Sequence, residues 1–277
     1  MHLIIQSPRG IPAPVLNRLA DLTTATRIEE TAAQTYRLHD AKPHDAVAVL
    51  CQEHQLDYGF VRPEQHLGNF GLVVMDMDST LINIECIDEV ADMANLKPQV
   101  AAITAAAMRG EMEFGESLRR RVALLKGLPE SALQQVYDQR LQLNPGAEIM
   151  LQKLKELGIK TLLVSGGFIF FTERLKAHLG LDYALANTLE ISNGTLTGKV
   201  LGNIIDAQGK ADILVRIRNE LQLQPQQVIA IGDGANDLKM MAEAGVSIAY
   251  HAKPIVRTQA SYALNFCGLE GVVNLFA

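Results

Sequence analysis

Hydrophobic positions along the 277-residue chain fall into two textures that change near position 70. Before that point, short alternating or helix-spaced runs predict a small α/β unit over residues 1–70. His2–Gln6 alternates weakly, as a short edge strand would. Val15, Leu16, Leu19 and Leu22 recur at helical spacing within Pro12–Thr24. Thr26–Leu38 has the polar-apolar mixture of a second strand, and Val47, Val49, Leu50 and Leu56 mark a helix over His44–Leu56. Arg62–Gly71 carries Pro and Gly and reads as a linker. Over 71–277 the apolar runs Leu72–Met75, Thr161–Val164 and Val228–Ile231 are bounded by Gly or polar residues, the pattern of fully buried parallel strands. Helical patterns at Gly146–Leu157 and Ala211–Leu221 lie between them, so the class is α/β, with a parallel sheet and right-handed crossovers. The interval Glu85–Leu141 is too long for one crossover. Its helical stretches Ile87–Ala94, Gln99–Met108, Glu116–Leu125 and Ser131–Arg140 predict a helical cap inserted after the first strand, at 85–141. Thr188–Val200 predicts a hairpin turning at Asn193-Gly194.

All three buried strands stop at polar segments: Asp76-Met77-Asp78-Ser79-Thr80, Ser165-Gly166-Gly167, and Gly232-Asp233-Gly234-Ala235-Asn236-Asp237. Ligands of open parallel sheets bind beyond the carboxyl ends of the strands, so the three segments point at one shared site. Asp76 and Asp78 alternate on an extended segment and could face one pocket. Two close carboxylates repel, which calls for a divalent cation or a raised pKa. One can serve as nucleophile and the other as general acid. Asp233 and Asp237 add hard oxygen ligands suited to Mg²⁺. Ser165 and Gly166 offer a hydroxyl and backbone N–H groups at a helix N-terminus, a phosphate cradle. Lys210 opens a helix, against the dipole, and needs an anion to neutralise. Each segment read singly fits a strand end, a cap or a turn; their convergence is what favours chemistry.

Charge and composition narrow the partners. Lys+Arg 25 against Asp+Glu 31 gives a net charge of −6, and no basic run marks a nucleic-acid surface. No stretch approaches the roughly 18 apolar residues of a membrane span, and the start, MHLIIQSPRG, has no basic region ahead of its apolar run. Cys51, Cys86 and Cys267 are widely spaced and odd in number, which fits a reducing cytoplasm. His39, His44, Cys51 and His54 match no zinc spacing and read as surface histidines with a stray cysteine.

Taken in order, DMDST, Ser165, Lys210 and GDGAND resemble the four signature motifs of the haloacid dehalogenase superfamily of phosphohydrolases. The likeness runs from Gly71 to the end. Extending into the insert, VVMDMDSTLINIECIDEVAD followed by AAMRGEMEFGESLRRRVALLKGLP is similar to members that hydrolyse O-phospho-L-serine. The resemblance implies a Rossmann-like parallel core, a helical cap and Mg²⁺. It implies Asp76 as nucleophile and Asp78 as the acid that protonates the leaving oxygen and then activates water. Ser165, Gly166 and Lys210 would hold the phosphoryl group, with Asn236 nearby. Asp76, the main-chain carbonyl of Asp78 and Asp233 would bind the metal, and Asp237 would orient that shell. Glu85 would meet the substrate ammonium and Arg121 its carboxylate, while Met108 and Phe114 would shield the site. Relatives often carry ACT-like amino-acid-binding domains at the N-terminus; residues 1–70 have room for one, a degenerate one, and should be dispensable for chemistry. Competing readings are action on phosphothreonine, phosphohomoserine or another small phosphomonoester, a phospho-accepting signalling domain, and an amino-acid-binding regulatory module. The expected partner is a small-molecule substrate, with neither nucleic acid nor membrane, and with a homodimer left open as the assembly.

Overall fold

The structure, a computed structural model, describes residues 1–277. Its first unit runs β1 (His2–Gln6), α1 (Ala13–Thr23), β2 (Arg27–Ala32), β3 (Thr35–His39), α2 (Ala46–Glu53) and β4 (Asp57–Val61). The four strands form an antiparallel sheet in the order β2-β3-β1-β4, a split βαββαβ arrangement. This sheet corrects two expectations. β1 is central rather than an edge: Leu3 and Ile5 pack under the helices of this unit, while Ile4 joins the large core on the other side. Thr26–Leu38 is two strands, reversing at Ala33-Gln34 with Gln34 at φ 57°. No Gly or Pro marks that turn, so composition carried no break signal.

The chain continues through β5 (Leu72–Met75) and then α3 (Cys86–Asp92), α4 (Lys97–Met108), α5 (Phe114–Leu124) and α6 (Ser131–Gln139), which are the four helices of the insert. Next come α7 (Ala147–Glu156), β6 (Lys160–Phe168), α8 (Ile169–Leu179), β7 (Tyr183–Ser192), β8 (Thr195–Leu201) and α9 (Ala207–Glu220). The last elements are β9 (Val228–Gly232), α10 (Leu238–Ala242), β10 (Val246–Tyr250), α11 (Pro254–Gln259), β11 (Tyr262–Leu264) and α12 (Glu270–Asn274). The second sheet has the order β11-β10-β9-β5-β6-β7-β8 and is parallel except at the β7–β8 hairpin. β5 is buried on both faces. Val73 and Met75 enter the large core, and Leu72 and Val74 a second one under α9, α10 and α11. After β5 the chain builds outward on one side and returns to β9 on the other. The order therefore switches at β5, and the carboxyl ends of β5, β6 and β9 lie side by side.

Two seams join the parts of the molecule. The hairpin turns at Asn193 and Gly194, both at positive φ, and its tip pairs with the segment joining α5 to α6. Leu196 N–H donates to Leu128 O at 2.8 Å, Gly127 N–H to Leu196 O at 2.9 Å, and Glu130 N–H to Gly194 O at 2.8 Å. The second seam contradicts the linker reading of Arg62–Gly71. Leu67 and Phe70 are buried, Leu67 N–H donates to Phe276 O at 2.9 Å, and the Phe70 and Phe276 rings lie 5.1 Å apart. Nearby, buried Asp57 accepts the backbone N–H groups of Asn265, Phe266 and Cys267 at 2.7, 3.0 and 2.8 Å. Ile4 and Val61 share the large core with Val73 and Met75, so the first unit is packed onto the second rather than tethered to it. All three cysteines are buried and free, and no helix is long and apolar enough to cross a membrane.

Candidate active site

Strand pairing ends at Met75, whose ladder partners are Leu163 and Ile231. Asp76 follows at once, its N–H still held by Ile231 O at 3.1 Å. The nucleophile candidate is thus fixed by the last rung of the sheet and is buried. Lys210, on the first turn of α9, is 1% exposed and reaches in from below the sheet end. Its Nζ donates to Asp76 Oδ1 at 2.5 Å and to Asp237 Oδ1 at 2.8 Å. The sequence put Lys210 at the start of the helix; Asp206 is the cap, accepting Gly209 N–H at 2.8 Å, and Lys210 lies one turn in.

Electrostatics follow from this crowding. Burial pushes the Asp76 carboxyl well up, Asp237 adds to the rise, Lys210 opposes it and Asp78 adds further. Burial works against the charge on Lys210, yet Asp237 and Asp76 hold its ammonium well above the ordinary range. Asp233, half-buried across from Asp76, is pushed up to about 6, first by burial and then by Asp237. Four carboxylates at Asp76, Asp78, Asp233 and Asp237 thus surround a single buried lysine.

That imbalance bears on a metal. Asp76, Asp233 and Asp237 offer oxygens within 4.8 Å of one another, a set that can hold a cation. They are not equivalent. Asp237 has donors on both oxygens, Lys210 and Asn236 on Oδ1 and the Gly234 N–H on Oδ2. Asp76 and Asp233 each have one oxygen held by the protein, from Lys210 and from Thr80 Oγ1 at 3.2 Å, and one oxygen without a protein donor. Two hard oxygens left open, with a third carboxylate locked behind them, fit a small divalent cation.

Asp78 leaves the strand direction but turns into the same space. Its Oδ1 accepts the Cys86 N–H at 2.8 Å, and its Oδ2 accepts Ser165 Oγ–H at 3.3 Å. Burial raises the Asp78 carboxyl, while the Cys86 N–H, Lys210 and Ser165 pull it down. Ser165 and Gly166 are not at a helix N-terminus, as the sequence suggested. They lie in an outward bulge of β6, and α8 begins only at Ile169. Gly167 is required there: a β-carbon would come within 2.8 Å of Asp78 Oδ2 and 3.1 Å of Ser165 Oγ.

The insert covers this end of the sheet. Glu85 precedes α3, and its Oε1 accepts Ser79 Oγ–H at 2.9 Å. Its carboxyl is pushed up to about 7 by the surrounding protein and by Asp78. Arg121 projects from α5, and burial lowers its pKa against the pull of Asp88, Glu85 and Asp78. Phe114 lies at the start of α5, its ring edge against Gly166. Met108 is different: it is 67% exposed at the end of α4 and packs into no core, so the shielding expected of it is not seen. Asn236 is exposed at the rim, with its amide 3.3 Å from Asp237 Oδ1. The loose His39, His44, Cys51 and His54 group does not assemble; Cys51 is buried and His39 pairs with Glu29 at 2.7 Å.

Sequence reasoning missed Thr80, which orients Asp233, and the backbone N–H of Cys86, which holds Asp78. It also missed Asn187, buried in β7 and bonded to Gly166 O at 2.8 Å and Ile205 N at 2.7 Å. A polar amide following the apolar stretch Ala184–Ala186 was the available signal.

Comparison with known proteins agrees with this geometry. The sequence profile of haloacid dehalogenase-like hydrolases matches residues 70–245, and that of a domain of unknown function, DUF4072, matches residues 3–47. A protein named phosphoserine phosphatase from a Polaromonas species is 53% identical over 218 residues, 77% of this chain and 92% of the relative. A haloacid dehalogenase family hydrolase from Salmonella enterica superposes with a TM-score of 0.89 at 35% identity, over 99% of this chain and 98% of the other. A probable phosphoserine phosphatase from Vibrio cholerae gives a TM-score of 0.87 at 38% identity, over 99% and 85% of the two chains.

Proposed function

We propose that this chain, which belongs to the haloacid dehalogenase-like hydrolases, is a phosphoserine phosphatase that hydrolyses O-phospho-L-serine to L-serine and phosphate. The observation that carries the reading is the Asp76–Lys210–Asp237 cluster set beside the Ser165–Asp78 pair, with Glu85 and Arg121 above them.

Asp76, held by Lys210, attacks phosphorus as the bond to the serine oxygen breaks, and Asp78 gives that oxygen its proton. Asp78 then takes a proton from water, whose oxygen attacks phosphorus and releases Asp76 and phosphate. Lys210, Ser165 and Gly166 hold the phosphoryl oxygens. Mg²⁺ would be held by Asp76, the Asp78 carbonyl and Asp233, and when bound it offsets charge on the transferring group. Arg121 presents a planar fork to the substrate carboxylate, and Glu85 a point anion to its ammonium. The first unit's βαββαβ order supports its reading as one ACT-like domain, without a role in the chemistry.

The test is phosphate release from phosphoserine, phosphothreonine, phosphohomoserine and p-nitrophenyl phosphate, with Mg²⁺ and with chelator. Phosphoserine is expected to be preferred, chelator to abolish turnover, and Asp76→Asn to abolish both turnover and covalent phosphorylation. Metal-independent release, or near-normal activity of Asp76→Asn, would overturn the reading.

A further inference from the structure

β6 pairs with β7 through Val164, opposite Leu185, and again at Phe168, opposite Asn187. Over that interval β7 advances two residues and β6 four, so Ser165-Gly166-Gly167 stands out of the ladder. A bulge frees backbone groups, and a buried carbonyl left without a donor is costly. Gly166 O is supplied by Asn187 Nδ2 at 2.8 Å, and Asn187 Oδ1 accepts the Ile205 N–H at 2.7 Å. The side chain doing this is 2% exposed.

The consequence reaches the reacting groups. Gly166 C=O and Gly167 N–H belong to one planar peptide, so fixing the first fixes the second. Gly167 N–H donates to Ser165 Oγ at 2.8 Å, which leaves the Ser165 hydroxyl proton for Asp78 Oδ2 at 3.3 Å. The hydrogen bonds thus run without a break from Ile205 through Asn187, the Gly166–Gly167 peptide and Ser165 to Asp78. Ile205 adjoins Asp206, the cap of the helix that carries Lys210.

We propose that Asn187 is a positioning residue for phosphoryl transfer: by clamping the Gly166–Gly167 peptide it aims Ser165, and through Ser165 it aims Asp78 at the leaving oxygen. The proposal rests on the reading of Asp78 as proton donor. It predicts a dependence on the leaving group. An alkoxide needs the proton from Asp78, whereas p-nitrophenolate departs without it.

Asn187→Asp keeps the shape and the acceptor for Ile205 but turns an oxygen toward Gly166 O. Asn187→Ser is the second variant should the buried carboxylate impair folding. Each is compared with the wild-type protein by kcat/KM on p-nitrophenyl phosphate and on the alkyl phosphomonoester that the wild type turns over fastest, with the thermal midpoint measured alongside. A loss on the alkyl ester that exceeds the loss on the aryl ester by about tenfold to hundredfold, in a folded variant, supports the proposal. Equal losses on both esters, or no loss, overturn it. A wild type that prefers another alkyl ester refutes phosphoserine as the substrate yet still tests Asn187. A wild type inert toward every alkyl ester removes both.

Discussion

Arg121 and Glu85 are the residues proposed to recognise the substrate rather than to carry its chemistry. Neither hydrogen-bonds Asp76 or Lys210: Glu85 accepts from Ser79 Oγ–H, and Arg121 Nε–H donates to Ser117 O. Glu85→Gln and Arg121→Lys are therefore expected to weaken kcat/KM for phosphoserine by about tenfold to hundredfold, the loss of one charge-assisted contact. p-Nitrophenyl phosphate, which lacks both groups, should lose far less. Equal losses on the two substrates would assign these residues to the fold instead. At this scale the sequence was most legible where chemistry is concentrated in few residues. Asp76, Asp78, Asp233 and Asp237 stand at strand ends, and a strand end can be read from an apolar run. Thr80, Cys86 and Asn187 were not legible, because a hydroxyl, a backbone N–H and an amide acquire their roles only from neighbours distant in sequence. Met108 shows the reverse error: an apolar residue in the right stretch that the structure leaves in solvent.

Among the elements, those with strong local signals came through. The four helices of the insert, β5, β6, β9 and the β7–β8 hairpin all lie within a few residues of their predicted spans. β4, β10 and β11 have only five, five and three residues, and they become strands by pairing with partners the periodicity does not reveal. The hairpin also has an unforeseen task, since its tip bonds to the α5–α6 segment of the insert. Gly194 stands at φ 70° with open space around its would-be β-carbon, so Gly194→Ala tests backbone conformation alone. It is expected to cost about 1–2 kcal/mol in urea unfolding, and an unchanged midpoint would contradict that. Because the tip holds the insert, the same variant should raise KM more than it lowers kcat.

In the molecule as a whole, Asp57 is a polar tie between the first unit and the second. Its carboxylate is buried and satisfied by three successive N–H groups of the turn between β11 and α12. Asp57→Asn keeps the size but sets an NH₂ against donors. It is expected to lower stability by about 2–4 kcal/mol while leaving kcat per folded molecule unchanged, as calorimetry and active-site titration would show. A loss of kcat in a fully folded variant would mean that the first unit reaches the chemistry. The seam also revises the dispensability of residues 1–70: every proposed catalytic group lies at or beyond Asp76, but excision would strip Ile4, Val61, Leu67 and Phe70 from the large core.

Asp57 and its three donors are separated by 208 to 210 residues of chain. A ribosome adds about 5–20 residues per second, so the carboxylate is made roughly 10–40 seconds before the turn that receives it. In that interval the first unit can close its own small core but not its outer face. Leu67 and Phe70, which meet Phe276, must wait for the segment after β11 to be made. The bonds that Asp57 makes to that turn thus form late in the synthesis of the chain.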